Sequence, residues 1–143
     1  MEEMQKIKPY SRKIAYYETD QMGVVHHSNY IRWMEEARLD FFEQIGLPYS
    51  EVEKRGIIIP VLSVSCKYQY AMRFGQCFEV TMRFPAFTGV KFHVLYEIRD
   101  PETGKLHATG ESSHGFVSGD MIPMRLKKEH PDVYEIMSKY VEE

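Results

Sequence analysis

Residues 28–45 constrain the fold of this chain more than any other segment. Tyr30, Met34, Ala37 and Phe41 recur at three- and four-residue steps, and Ile31, Trp33, Phe42 and Ile45 widen the stripe. Arg32, Glu35, Glu36, Asp40 and Glu43 fall mostly on the opposite side. So broad an apolar face implies a helix deeply embedded in a sheet. Ser28 or Asn29 offers an N-cap, and Gly46 and Pro48 end the helix near Ile45. A short second helix, residues 50–55, stops at Gly56.

The rest of the chain reads as strands. Residues 7–17 end in β-type residues. Residues 57–70 alternate from Val61, with Val64, Cys66, Tyr68 and Tyr70 on one parity. Residues 78–87, 90–99 and 106–118 follow, each rich in β-branched or aromatic side chains. Thr88-Gly89 and Asp100-Pro-Glu-Thr-Gly104 have the chemistry of hairpin connections, and residues 131–141 suit a C-terminal helix. A strand, a long helix and then a run of antiparallel strands is an α+β layout, one helix cradled by one curved sheet of about five strands. The strand 90–99 carries apolar residues on both parities (Val90, Phe92, Val94, Leu95, Tyr96, Ile98), which suits burial on both faces or within an assembly.

The 143 residues contain no repeat or linker, so one domain, 1–143, is expected. A domain this long buries roughly two-thirds of its unfolded surface and needs no metal or disulfide staple. A formal charge of −3 argues against a protein built to bind nucleic acid. No apolar run approaches the ~18 residues of a membrane span, and MEEMQKIK is too polar for a secretory signal, which points to a cytoplasmic protein. Cys66 and Cys77 are too few for a disulfide framework or zinc site and read as small core residues in strands. The 8 Phe, 10 Tyr and 9 Met would serve an ordinary core, or one that wraps something flat or greasy.

The segment carrying chemistry is Tyr17-Glu-Thr-Asp-Gln-Met-Gly-Val-Val-His-His-Ser-Asn-Tyr30. It places Asp20 in a loop after a strand, with Gly23 permitting close backbone approach, just ahead of a buried helix. A helix start leaves free N–H donors and a partial positive charge, which can stabilise an oxyanion. A carboxylate facing such donors across a carbonyl is what acyl transfer requires, by direct attack or by activating water. The plainer role for a loop Asp is an Asx turn, and for Gly23 simple backbone freedom.

Asp20-x-x-Gly23-x-x-x-His27-x-x-Tyr30, with Trp33 and Ala37-Arg38 behind it, resembles the signature of the hotdog-fold acyl-CoA thioesterases, in particular the 4-hydroxybenzoyl-CoA thioesterase family and its YbgC-like branch. The likeness runs along the whole chain, to Ile122-Pro-Met-Arg-Leu126 and the tail helix. It implies hydrolysis of an acyl-CoA thioester to free acid and CoA. Asp20 matches the essential carboxylate, as nucleophile or general base. His27 matches the position whose backbone N–H polarises the thioester carbonyl, and its side chain can assist. Gly23 would let the loop lie against the thioester, and Tyr30 would line the acyl pocket. His26 stands where relatives often carry Tyr or Phe, making the pocket mouth more polar. Lys91 occupies a place where family members often meet the CoA nucleotide, with Arg73, Lys67 and Arg125 as further cations. The resemblance also implies dimers with a continuous sheet, often doubled to homotetramers, with sites at the dimer interface. CoA is then part of the substrate and no resident cofactor is expected. An acyl-carrier-protein thioester is a possible alternative substrate.

Other chemistries fit less well. His26 and His27 are adjacent and rarely face one metal ion together, and no Cys or Glu-x-x-His partner follows at ligand spacing. A hydroxyacyl-thioester dehydratase would use a His before the helix and an acid along it, and His26 and Asp40 have that spacing. The prolines that follow the dehydratase His are absent, and Asp40 falls on the polar side. A non-catalytic acyl-CoA-binding protein would have no need of Asp20.

Overall fold

The computed structural model describes residues 7–142. Five strands, β1 (Tyr10–Lys13), β2 (Val61–Tyr68), β3 (Cys77–Phe87), β4 (Lys91–Arg99) and β5 (Leu106–Gly115), pair antiparallel in the order β1-β3-β4-β5-β2. The long helix α1 (Ser28–Gln44) packs against one face of that sheet, with α2 (Tyr49–Lys54) following it. Two short helices, α3 (Leu126–Glu129) and α4 (Pro131–Ser138), close one end; the sequence pattern showed only the second.

The core lies between α1 and the sheet because both surfaces keep their apolar periods. Trp33, Met34, Ala37 and Phe41 are fully buried, and so are Phe78, Val80, Phe92, Val94, Tyr96, Ile98 and Ala108 from the three central strands. Trp33 stacks on Phe78 at 3.9 Å, and Phe41 meets Phe84 at 4.5 Å. Each such ring pair contributes about 1 kcal/mol beyond its area. Gly110 on β5 lets the helix come this close. A Cβ there would land on the Met34 methyl, with the Ser65 carbonyl 3.1 Å away.

The expectation that β4 is apolar on both faces is corrected. Phe92, Val94, Tyr96 and Ile98 share the inner face, while only Leu95, half-buried, represents the outer one. The apolar stripe of α1 is also narrower than its sequence suggests, since Ile31 remains exposed and Ile45 half-buried. The first strand is four residues long because the Glu18 carboxylate accepts the Ala15 N–H at 2.8 Å and folds residues 16–18 into a 3-10 turn. Residues 57–60 precede β2 because Pro60 has no N–H for the ladder; Ile58 makes only an isolated bridge with Val117. Cys66 and Cys77 do sit in strands, half-buried with free thiols.

The sheet's two edges differ. β1 is short, whereas β2 presents eight residues with Val61, Leu62, Val64 and Tyr68 all 40–55% exposed. An unguarded apolar edge of that length is a template for pairing with another strand.

Candidate active site

The site begins with a carboxylate in the core. Glu18 is buried and receives Arg12 through two N–H donors at 2.9 and 2.7 Å, the Trp33 indole N–H at 2.8 Å and the Ala15 N–H. Burial would raise this carboxyl's pKa. The hydrogen bonds from Arg12, Trp33 and Ala15 overcome that and hold it below the ordinary range. Arg12 in turn binds Glu36 on α1, which also accepts the Tyr10 hydroxyl. Glu18 directly follows residues 7–17 in the sequence and carries no apolar pattern of its own. Its role depends on partners that no local periodicity reveals.

Main-chain bonds carry this order into the loop. The Glu18 carbonyl accepts the His26 N–H and the Asn29 side-chain amide, both at 2.9 Å, closing the loop across its base. Asp20 N–H donates to the Val24 carbonyl at 2.8 Å, and Gly23, at φ +75°, turns the chain back. The Asp20 Oδ1 accepts Met22 N–H at 2.8 Å and Val24 N–H at 3.3 Å, an Asx turn. Its other oxygen has no partner among the described residues. The carboxylate is exposed, so the turn anchors one oxygen and leaves the second facing solvent. Buried Val25 and the Met72 carbonyl fasten the loop to the segment ahead of β3, and Val24 bridges Arg73.

At the helix start the expected cap is corrected. Ser28 is the first helical residue, and the cap position is His27, in helical geometry. Asn29 cannot cap because its side chain turns inward to Glu18 and His26. Instead the His26 imidazole Nδ1 accepts the Ser28 N–H at 3.2 Å and shares a 2.8 Å bond with its hydroxyl. The His27 N–H has no acceptor among the described residues, and no acidic side chain occupies the first turn of α1. The positive end of the helix therefore stays uncompensated. His26 and His27 stack at 4.3 Å, both exposed. Tyr30 is buried behind them against Trp33, at 4.9 Å, and Tyr68 of β2, at 5.1 Å. Burial raises its hydroxyl pKa to about 12, so it stays protonated.

Asp20, Gly23, His26, His27 and Tyr30 are thus gathered at one loop–helix junction. Lys91 is not among them. It starts β4 opposite Gly115, seven residue steps and about 23 Å along the sheet from the Tyr68–Ala108 end. Arg73 is the cation beside the loop. Asp40 accepts from Gln44, away from His26.

Toward the far end of α1, a cleft of about 130 Å³ is lined by Glu35, Arg38, Leu39, Phe42, Tyr49, Val61 and His114, among others. Arg38 donates to the Tyr96 hydroxyl at 3.0 Å, and Tyr96, Ser112 and the His114 Nε2 follow at 2.6 and 2.8 Å. Burial, and then the Arg38 charge, push the His114 pKa down to about 4, against the opposing Pro60 backbone contact. The folded state thus holds this ring neutral while the unfolded chain protonates it near 6.5. Its contribution is complete above about pH 6.5 and is lost as pH falls toward 4. Urea unfolding from pH 7 to 4 should show a loss of roughly 3 kcal/mol in the wild type that His114→Gln lacks.

A single antiparallel sheet wrapped on one helix is the hotdog fold, and the relatives that share it make this chain a thioester hydrolase by class. It belongs to the thioesterase-like superfamily, whose family profile matches residues 14–134. The chain is 33% identical over 128 residues to the putative acyl-CoA thioesterase YneP of Bacillus subtilis, covering 89% of this chain and 92% of that one. It is 31% identical over 86 residues to the acyl-CoA thioesterase YbgC of Helicobacter pylori, covering 59% and 61%. The DHNA-CoA thioesterase structure from Staphylococcus aureus superposes with a TM-score of 0.86 at 33% identity, over 92% of this chain and 89% of that one.

Proposed function

We propose that this protein hydrolyses an acyl-CoA thioester to a free carboxylic acid and CoA. The observation that carries the reading is the Asp20 carboxylate, tied down through one oxygen only, in the loop that leads into a helix start whose His27 N–H has no acceptor among the described residues. The thioester carbonyl would take the His27 N–H, and the free Asp20 oxygen would attack the carbonyl carbon or take a proton from an attacking water. In the first route the C–S bond breaks, CoA thiolate leaves and takes a proton from solvent, and water then hydrolyses the Asp20–acyl anhydride to the free acid and restores the carboxylate; in the second the intermediate expels the thiolate, which takes the water's proton from Asp20 as the acid departs. Tyr30 and Tyr68 would flank the acyl group. The reading assigns no resident cofactor and a cytoplasmic setting. Among the described residues no helix is long and apolar enough to cross a membrane.

The working unit in this reading is a homodimer, or a tetramer built from dimers. Antiparallel pairing of two β2 edges would merge two sheets and cover Val61, Leu62 and Val64. It would also set the Val61 end of one subunit, with its cleft and Lys91, beside the partner's Tyr68 end, which gives a cation distant within one chain a route to the site. Sedimentation should find a dimer or larger, and a monomer at micromolar concentration would contradict this assembly.

Free-thiol release from a panel of short, medium and aryl acyl-CoAs tests the function. Release above the spontaneous rate is expected. Failure on every acyl-CoA, with release from an acyl-carrier-protein thioester, would move the substrate to the carrier. Failure on both would favour a binding protein.

A further inference from the structure

Arg38 is a half-buried cation without an ion-pair partner among the described residues, and it lines the cleft beside the second half of α1. The bond its side chain makes is to the Tyr96 hydroxyl, at 3.0 Å. A chain of buried groups stands behind that bond. The neutral His114 ring gives its N–H to the Pro60 carbonyl, so its Nε2 accepts from the Ser112 hydroxyl at 2.8 Å. Ser112 in turn accepts from Tyr96 at 2.6 Å, and Tyr96 accepts from Arg38. Every member of the chain is satisfied. Its end grips one corner of the guanidinium and leaves the other N–H groups unbonded among the described residues.

The cleft's walls are largely apolar, with Phe42, Ile59, Val61 and Phe92 among them. The Tyr49 hydroxyl also faces it, accepting the Ile59 N–H and keeping its own proton to donate. The volume, about 130 Å³, is close to that of cavities that hold a single six-membered ring. Glu35 is the one carboxylate in the lining, and it is not paired with Arg38. We infer that this cleft binds a small organic carboxylate, its ring or short chain against Phe42 and Phe92 and its charge on the Arg38 guanidinium and the Tyr49 hydroxyl. The acid released by the hydrolysis proposed above is a molecule of this class. Binding here needs no such reaction, because Asp20, Gly23 and His27 are all outside the lining.

Titration of the full-length protein with sodium benzoate and sodium hexanoate, followed by amide NMR shifts, is the test. A Kd of about 1 mM is expected for each. The shifts should fall on residues 35–42 and 59–61, and not on residues 20–27. Benzamide, with the shape of benzoate and no charge, should bind about tenfold more weakly. Arg38→Gln should weaken benzoate by about tenfold, and Glu35→Gln should tighten it by about twofold through loss of a like charge. Benzamide binding as tightly as benzoate overturns the inference in the wild type alone, so the test stands even if Arg38→Gln folds poorly. Shifts centred on residues 20–27 overturn it by placing the acid at the loop–helix junction. Absence of any shift at about 20 mM does so as well. Failure of the protein to hydrolyse thioesters would sink the functional reading and leave these titrations unaffected.

Discussion

Asp20→Asn is expected to lower kcat by about two to four orders of magnitude and to leave the fold intact. The asparagine amide oxygen can keep both anchoring bonds, from Met22 and Val24 N–H, so the Asx turn survives. The substitution removes the charge and the basicity of the second oxygen. Loss of activity with unchanged thermal unfolding therefore isolates chemistry from structure. His27→Ala provides the contrast, because a backbone donor survives the substitution. A drop of about tenfold is expected from the lost stacking on His26 and contact with Tyr68. An equal loss in the two variants would assign chemistry to the His27 imidazole, and an active Asp20→Asn protein would place the reaction elsewhere.

Glu18→Ala is expected to cost about 3 kcal/mol and to lower Tm by roughly 10 °C. It orphans the buried Trp33 indole N–H and removes one of the two carboxylates that hold Arg12. Leaving a buried donor or charge uncompensated costs far more than losing an exposed pair. Glu18→Gln should fall between, since an amide oxygen still accepts from Trp33 or Ala15 but offers Arg12 no charge. The pH dependence gives a second check. A carboxyl held below its ordinary pKa of about 4.3 stabilises the fold fully above that value and loses its contribution as pH falls below it. Glu18→Gln should therefore show a shallower loss of stability in acid. Circular dichroism melts at pH 7 and pH 3.5 measure both effects. If Glu18→Ala melts within about 2 °C of wild type, the network is not holding the loop.

Much of the fold was legible because it rests on local periods. The 3.6-residue stripe of α1 is a property of neighbouring residues and survives within a few positions, and strands form where β-branched and aromatic residues cluster, whereas the alternation read from Val61 gives β2 no buried face. The short β1 was not legible. Nothing within residues 7–17 announces that Glu18 will reach back to Ala15 and to Arg12. The same limit applies to the helix cap, where His26 outcompetes Ser28 and Asn29 because Asn29 is drawn inward by a carbonyl eleven residues earlier.

The candidate site divides the same way. By itself the sequence determined the loop-to-helix junction, with Asp20, Gly23 and His27 at fixed spacing, because a tight turn and a helix start are short-range events. Only the tertiary structure decided what steadies that junction. The Trp33–Glu18 bond spans 15 residues and Tyr68–His27 spans 41. Such contacts depend on strand register and on how closely α1 approaches the sheet, down to the missing Cβ of Gly110. Placing Lys91 at the far end of the sheet followed from strand order in the same way. Strand order and register are set by the packing of the whole core, and a one-residue slip would send every side chain of a strand to the other face.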